Sequence, residues 1–132
     1  IIGSVGSLIS KITYIKKTKN KIFIILDCAM NDFLRPALYG AKHEILPTVK
    51  NSKKIKKTTE FVGPICETTD TFLKLSKFQS IKEGDNIAIL NTGAYGMSLS
   101  SNYNVRPMPI EILIKNKKSS VILKRQKLNE IT

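Results

Sequence analysis

Two apolar runs near the start of the chain set the first limit on its fold. Residues 7–17 read Ser-Leu-Ile-Ser-Lys-Ile-Thr-Tyr-Ile-Lys-Lys, and residues 21–26 read Lys-Ile-Phe-Ile-Ile-Leu. β-Branched and aromatic side chains dominate both, which suits a pleated sheet better than a helix. Lys17-Thr18-Lys19-Asn20 lies between them without an apolar residue and supplies the turn. The expectation is a hairpin whose second strand is apolar enough to be covered on both faces.

Strand-like runs recur downstream. Thr58 to Val62 is one, and Asn86 to Leu90 is another, with Ile87 and Ile89 on one face. Arg106-Pro107-Met108-Pro109 introduces a last hairpin in which Ile110, Ile112 and Ile114 alternate, Lys115 to Lys118 turn, and Val121-Ile122-Leu123 return. Helix is expected mainly in Asp27 to Tyr39. Asn31 and Asp32 are N-cap residue types, and Phe33, Leu34, Ala37 and Leu38 have roughly helical spacing. Pro36 fits only a first turn, which limits that helix to one or two turns. Asp70 is placed to cap a short segment, Thr71 to Leu75. His43 to Pro47 reads as extended, Lys50 to Lys57 as a flexible exposed loop, Lys82 to Asp85 as a turn, and Ser98 to Asn104 as a polar loop.

No internal repeat or second domain is visible in the 132 residues. The pattern predicts a single mainly-β domain over residues 1–132, a barrel or sandwich with short helical insertions. A complete β/α barrel needs ~250 residues and is excluded. No run approaches the ~20 apolar residues of a membrane span. Cys28, Cys66 and His43 make neither a disulfide framework nor a zinc site, and a reducing cytoplasm is the expected setting. The opening Ile1-Ile2-Gly3-Ser4-Val5-Gly6 has no initiator Met and no basic leader, so the chain reads as part of something longer.

A net charge of +12 raises nucleic acid as a partner. Of the 22 basic residues only Arg35, Arg106 and Arg125 are arginine, and the lysines crowd likely turns. The lysine runs carry no interleaved aromatics on which bases could stack. Solvated surface is the better account of the charge, with a basic nucleic-acid-binding β-domain kept as the alternative.

Three places could carry chemistry. Arg35 sits among apolar neighbours, with Tyr39 four residues on and so on the same face of a helical turn. A guanidinium fork suits a carboxylate or phosphate. The pair reads as an anion clamp or as an internal salt bridge beside a core tyrosine. Gly63-Pro64-Ile65-Cys66-Glu67-Thr68-Thr69-Asp70 places a thiol beside a carboxylate after a structure-breaking Gly-Pro pair. Cys66 has three open readings: a buried structural thiol, a nucleophile with His43, the sequence's single imidazole, as its base, or a proton donor. A thiol with an ordinary pKa of ~8.5 is mostly protonated at neutral pH and can give its proton to carbon. Tyr95 lies in Gly93-Ala94-Tyr95-Gly96, where backbone can approach a ligand closely. Cys28, after the second strand, reads as core.

Taken together, three segments resemble the C-terminal domain of the diaminopimelate decarboxylase family, fold-type III pyridoxal-phosphate enzymes. They are Asp27-Cys28-Ala29-Met30-Asn31-Asp32-Phe33-Leu34-Arg35-Pro36-Ala37-Leu38-Tyr39, then Gly63 to Asp70, then Gly93-Ala94-Tyr95-Gly96-Met97-Ser98-Leu99-Ser100-Ser101-Asn102-Tyr103-Asn104. Their order and spacing agree from Ile1 to about Arg125. The related ornithine and arginine decarboxylases share the layout but not the Arg-Pro-Ala-Leu-Tyr or Ser-Ser-Asn-Tyr-Asn wording.

The resemblance implies a β-domain of the alanine racemase/ornithine decarboxylase type. It further implies an enzyme that uses pyridoxal 5'-phosphate to remove a carboxylate from the D-centre of meso-diaminopimelate, giving L-lysine. Such enzymes are homodimers with active sites at the subunit interface. By motif, Arg35 and Tyr39 would grip substrate. Cys66 would donate a proton and Glu67 would hold the substrate's amino end, both in the neighbouring subunit's site. Tyr95 would contact cofactor and substrate. The cofactor-binding barrel, its Schiff-base lysine and its glycine-rich phosphate site are absent here. The chain is therefore expected to be inactive alone, to need a complementing barrel domain, or to be a non-functional remnant.

Overall fold

The computed structural model describes residues 2–131. The first elements are a one-turn helix, α1 (Ile2–Val5), and the expected hairpin, β1 (Ser7–Lys17) and β2 (Lys21–Leu26). A five-residue helix, α2 (Arg35–Tyr39), precedes β3 (Ile45–Pro47), β4 (Lys54–Ile55) and β5 (Thr58–Val62). Then come β6 (Thr71–Leu75), β7 (Phe78–Gln79), β8 (Asn86–Leu90), and a terminal pair, β9 (Glu111–Lys115) and β10 (Lys118–Leu123).

Six strands form one curled sheet in the order β3-β8-β1-β2-β5-β6. All pairings in it are antiparallel except β2 with β5. β1 is long because it serves two partners. Residues 7–11 pair with β8, and the strand then passes a register shift between Ile12 and Tyr14 and pairs with β2. An irregularity of this kind bends a strand and increases its twist, which lets the sheet curl round its core. Among the described residues no ladder joins β3 to β6, so the sheet is a half-barrel and does not close.

Alternation places the apolar set. Ile22, Ile24 and Leu26 of β2, Phe61 of β5, Phe72 of β6 and Ile87 and Ile89 of β8 all point into the curl, joined by Ile12, Phe33, Ile45 and Phe78. Phe61 meets Phe78 edge-on, centroids 4.9 Å apart. Burying each such side chain stabilises the fold by roughly 1.5–3 kcal/mol. Phe23 and Ile25 on the other face of β2 are only half-buried, so the expectation of a strand covered on both faces does not hold.

Three other expectations need correction. Lys50 to Lys57 is not simply a flexible loop: Lys54–Ile55 pairs with Phe78–Gln79. Around that pair the Gln79 side chain accepts from the Asn51 amide at 3.2 Å and donates to the Val49 carbonyl. Thr71 to Leu75 is a strand, so Asp70 has no helix to cap. Asn31 and Asp32 are not N-caps either. Leu34 occupies the cap position of α2, and no side chain bonds the cap there. The two polar residues serve the turn before the helix, because that turn has its own orphan amides.

Candidate active-site face

The segment leaving β2 is a polar knot. Asp27 accepts from the Ser10 hydroxyl and from the Lys11 amide at 2.9 Å, while Ser10 Oγ accepts from the Cys28 amide at 3.2 Å. Asp32 Oδ2 accepts from the Ala29 amide at 2.8 Å, closing a tight turn that drives Phe33 into the core. Arg106 ties this turn to the far end of the chain. Its Nε donates to Asn31 Oδ1 at 3.1 Å, its Nη2 donates to the Asp27 carbonyl, and Asp32 Oδ2 lies 3.7 Å from Nη2. Asn31 completes the stitch with its side chain on the Ser101 carbonyl, 3.2 Å.

From this anchored turn α2 starts with Pro36 in its first turn. It stops at Gly40, whose φ of 63° is cheap only for glycine and whose amide reaches Pro36 O at 3.0 Å. One helical turn therefore separates Arg35 from Tyr39. The guanidinium carbon lies 5.7 Å from the Tyr39 ring centre and 5.8 Å from that of Tyr95. Both rings are largely exposed, at 63% and 64%. Among the described residues no carboxylate pairs with Arg35. The internal salt-bridge reading falls, and the clamp reading remains: a cation flanked by two phenols and open to an anion.

Tyr95 arrives by close backbone contact. The loop after β8 lies on Gly6, with Thr92 N on Gly6 O at 3.0 Å and Gly93 N on Gly3 O at 3.1 Å. A Cβ on Gly6 would collide with the Gly93 backbone, and one on Gly93 would collide with the Ile2 carbonyl. Tyr95 itself holds φ at 59°, an αL conformation uncommon for a non-glycine residue. Strain of that kind collects at functional positions.

Cys66 and Glu67 project from the turn between β5 and β6, and both are exposed. The buried-thiol reading of Cys66 is thereby excluded; Cys28 is the buried one, and burial pushes its thiol far up. The nucleophile reading loses its base. His43 is buried edge-on against Phe33, ring centroids 4.7 Å apart, and its Nδ1 donates to the Leu90 carbonyl at 3.0 Å. No hydrogen bond, ion pair or ring contact joins Cys66 or Glu67 to Arg35, Tyr39 or Tyr95 among the described residues. The candidate residues thus form two groups, a clamp and a thiol–carboxylate turn.

Sequence reasoning gave the residues that hold these groups in place other tasks: Asn31, Asp32 and Asp70 as caps, and Arg106 as the start of the last hairpin. Burial pushes the Asp32 and Asp70 carboxyls up, against the pull of backbone amide donors and of Arg106. The rarity of arginine was the available signal for Arg106, and the aspartate closing the Gly-Pro turn was the signal for Asp70.

The class defined so far is a mainly-β domain that presents phenolic, thiol and carboxylate side chains on its surface beside a half-buried arginine. Residues 2–93 match the model of the family described as pyridoxal-dependent decarboxylase, C-terminal sheet domain, and the chain belongs to that family. It is 44% identical over 131 residues to a diaminopimelate decarboxylase of Helicobacter pylori and 41% identical over 132 residues to one of Aquifex aeolicus. Among solved structures, the Helicobacter pylori decarboxylase complexed with L-lysine superposes with a TM-score of 0.90 at 43% identity, covering 98% of this chain and 32% of that one. The chain spans about a third of the length of the relatives it matches, 99% of it aligned to 32% of the Helicobacter enzyme.

Pyridoxal phosphate is the cofactor of that family by its description. The face fits one wall around such a group: Tyr95 offers a ring and a phenol, and Arg35 an unpaired cation beside it. It does not enclose one. Two concavities, of about 480 and 350 Å³, lie elsewhere, lined by Ile15, Ile24 and Ile81, and by Val49, Gln79 and Asp85.

Proposed function

We propose that this chain is the C-terminal domain of a pyridoxal-phosphate-dependent diaminopimelate decarboxylase, which converts meso-diaminopimelate to L-lysine. The observation that carries the reading is the pairing of an open Arg35–Tyr39–Tyr95 clamp with a separate, exposed Cys66–Glu67 turn. Pyridoxal phosphate, when bound, supplies the electron sink for loss of the carboxylate. Everything else asked of this domain is orientation and one proton.

Arg35 holds a substrate carboxylate, since a guanidinium matches it in a bidentate manner and no internal acid competes. Tyr39 closes the same side with its phenol. Tyr95 borders cofactor and substrate. Glu67 takes an ammonium of the substrate, whose two ammonium and two carboxylate groups call for partners of both signs. Cys66 Sγ–H delivers the proton to the carbon that has lost its carboxylate. A donor fixed on one side of that carbon sets the stereochemical outcome. In this reading the clamp acts in the domain's own subunit and the turn in its dimer partner's, an arrangement with which the lack of contact between the two groups is compatible. A barrel domain outside these residues supplies the cofactor lysine, and the chain alone is inactive. A cytoplasmic setting suits an exposed reduced thiol.

The test is complementation. Mixing this chain with a separately made barrel domain, pyridoxal phosphate and meso-diaminopimelate should restore lysine formation, read by chromatography. Cys66→Ala should lower kcat at least tenfold with little change in KM, as general acid catalysis contributes ~10²–10⁴-fold. Absence of lysine from a folded, mixed sample would overturn the reading and leave only shared ancestry.

A further inference from the structure

Asp70 takes no direct part in the proposed chemistry, yet it is the best-connected residue of the turn that carries Cys66. Its Oδ2 accepts from the Ile65 amide at 2.9 Å, within the turn. Its Oδ1 accepts from the Met30 amide at 2.7 Å, forty residues away in the loop leading to α2. Its carbonyl accepts from the Gly63 amide at 2.9 Å, and its own amide donates to Glu67 O at 3.1 Å. Thr69 adds a contact from Oγ1 to Met30 Sδ at 3.7 Å. Asp70 is 3% exposed, and its carboxylate fills the space over Gly63, where a Cβ would collide with both of its oxygens. Glycine is therefore required at 63 to admit the acid, and the acid is required to hold the turn.

We propose that Asp70 is a positioning residue for the proton-donor turn, its carboxylate pinning the Cys66–Glu67 turn to Met30 and so to the Asn31–Asp32–Arg106 stitch from which α2 springs. The two groups of candidate residues, which share no direct contact, are thereby held in one frame. The catalytic consequence rests on the decarboxylase reading; the pinning does not. An ionised carboxylate can accept from two amides at once, and a protonated one accepts less well and must find a partner for its own hydrogen. Charged and titratable groups facing it are Arg106 from the segment before β9 and Asp32 and Cys28 from the Met30 loop.

The test starts with the unaltered, isotope-labelled chain and a pH titration of its amide spectrum. The Met30 and Ile65 amide resonances should move together with a single midpoint above the ordinary aspartate value, since burial raises this group from 3.8. Asp70→Asn, which sets an amide donor against one of the two N–H groups, should abolish that shared transition, and Gly63→Ala should shift both resonances from the opposite side. Independent titration of the two amides overturns the proposal without any variant having to fold. In the complemented enzyme, Asp70→Asn should lower kcat about tenfold per folded site, but less than twofold further when Cys66→Ala is already present. Losses that multiply in full would make Asp70 merely structural and overturn its role at Cys66. Should the mixture form no lysine at all, the decarboxylase reading fails while the amide titration still decides the pinning.

Discussion

The six-stranded sheet and the β9–β10 hairpin are built from similar residues and meet opposite fates. Ile24 in β2 has no exposed surface, whereas Ile114 in β9 is 75% exposed and Ile122 in β10 is 61% exposed. Both regions alternate, both are rich in isoleucine, and both make good ladders. What differs is the second layer. The inner face of β2 belongs to a core cluster that includes Phe33 and Phe78 from outside the six-stranded sheet. At the base of the hairpin Gln126 accepts from the Met108 amide at 3.1 Å and from the Asn102 side chain, while the hairpin's strand residues are almost all exposed. A ladder alone contributes little, since an isolated two-stranded hairpin is marginal in water. The alternation of a strand thus encodes a face that can be buried, and a partner layer decides whether burial stabilises anything.

Side-chain truncation puts that contrast to its hardest test. Phe61→Ala removes a fully buried ring packed edge-on against Phe78 and should cost about 3–5 kcal/mol in urea or thermal unfolding. Ile114→Ala should change stability by less than ~0.5 kcal/mol, since it removes little buried contact. Comparable losses at the two positions would show that something covers the hairpin in solution and would break the comparison.

What could be read from the sequence follows the same division. β1, β2, β5, β8 and the last hairpin were legible, because alternation is local and survives whatever covers it; β6 was read as a capped segment instead. The Arg35–Tyr39 pair was legible for the same reason, lying one helical turn apart around Pro36. The arrival of Tyr95 beside Arg35 was not, because it depends on backbone packing between Gly6 and Gly93. The β4–β7 pair was hidden by lysines, whose charge marks exposure and says nothing about pairing. Asp32 and Asp70 misled as helix caps, since a short acid that accepts from amides does so equally well in a turn or across to another segment. Cys66 and Glu67 were marked by resemblance; that the thiol is exposed needed coordinates.

A medium effect should come from the residue that joins the two regions. Arg106 lies on the path into β9 and binds Asn31, Asp32 and the Asp27 carbonyl on the sheet side. Arg106→Ala leaves a buried carboxylate at Asp32 with its neutralising partner gone. Charge-assisted hydrogen bonds contribute ~1.5–3 kcal/mol, discounted here because the arginine is partly exposed. We expect a loss of about 1–2 kcal/mol by urea unfolding, with the hairpin's amides exchanging faster while those of β2 and β8 do not. Equal acceleration in both regions would mean that they unfold as one unit.

The smallest global effect should come from improving the hairpin itself. Its turn residues Asn116 and Lys117 both hold positive φ, 51° and 61°, the geometry of the two-residue turn that matches strand twist. Asparagine adopts that conformation more readily than lysine, so Lys117→Gly creates the Asn-Gly pair that such turns prefer and relieves about 1 kcal/mol of local strain. Hydrogen exchange at Ile112 to Ile114 and Ser120 to Ile122 should slow several-fold. The unfolding midpoint should stay within about a degree, because a region that contributes little to the core cannot transmit its gain to it. A midpoint that rose in step with hairpin protection would show that the hairpin and the sheet are one cooperative unit, and the contrast in burial would then say nothing about how stability is divided between them.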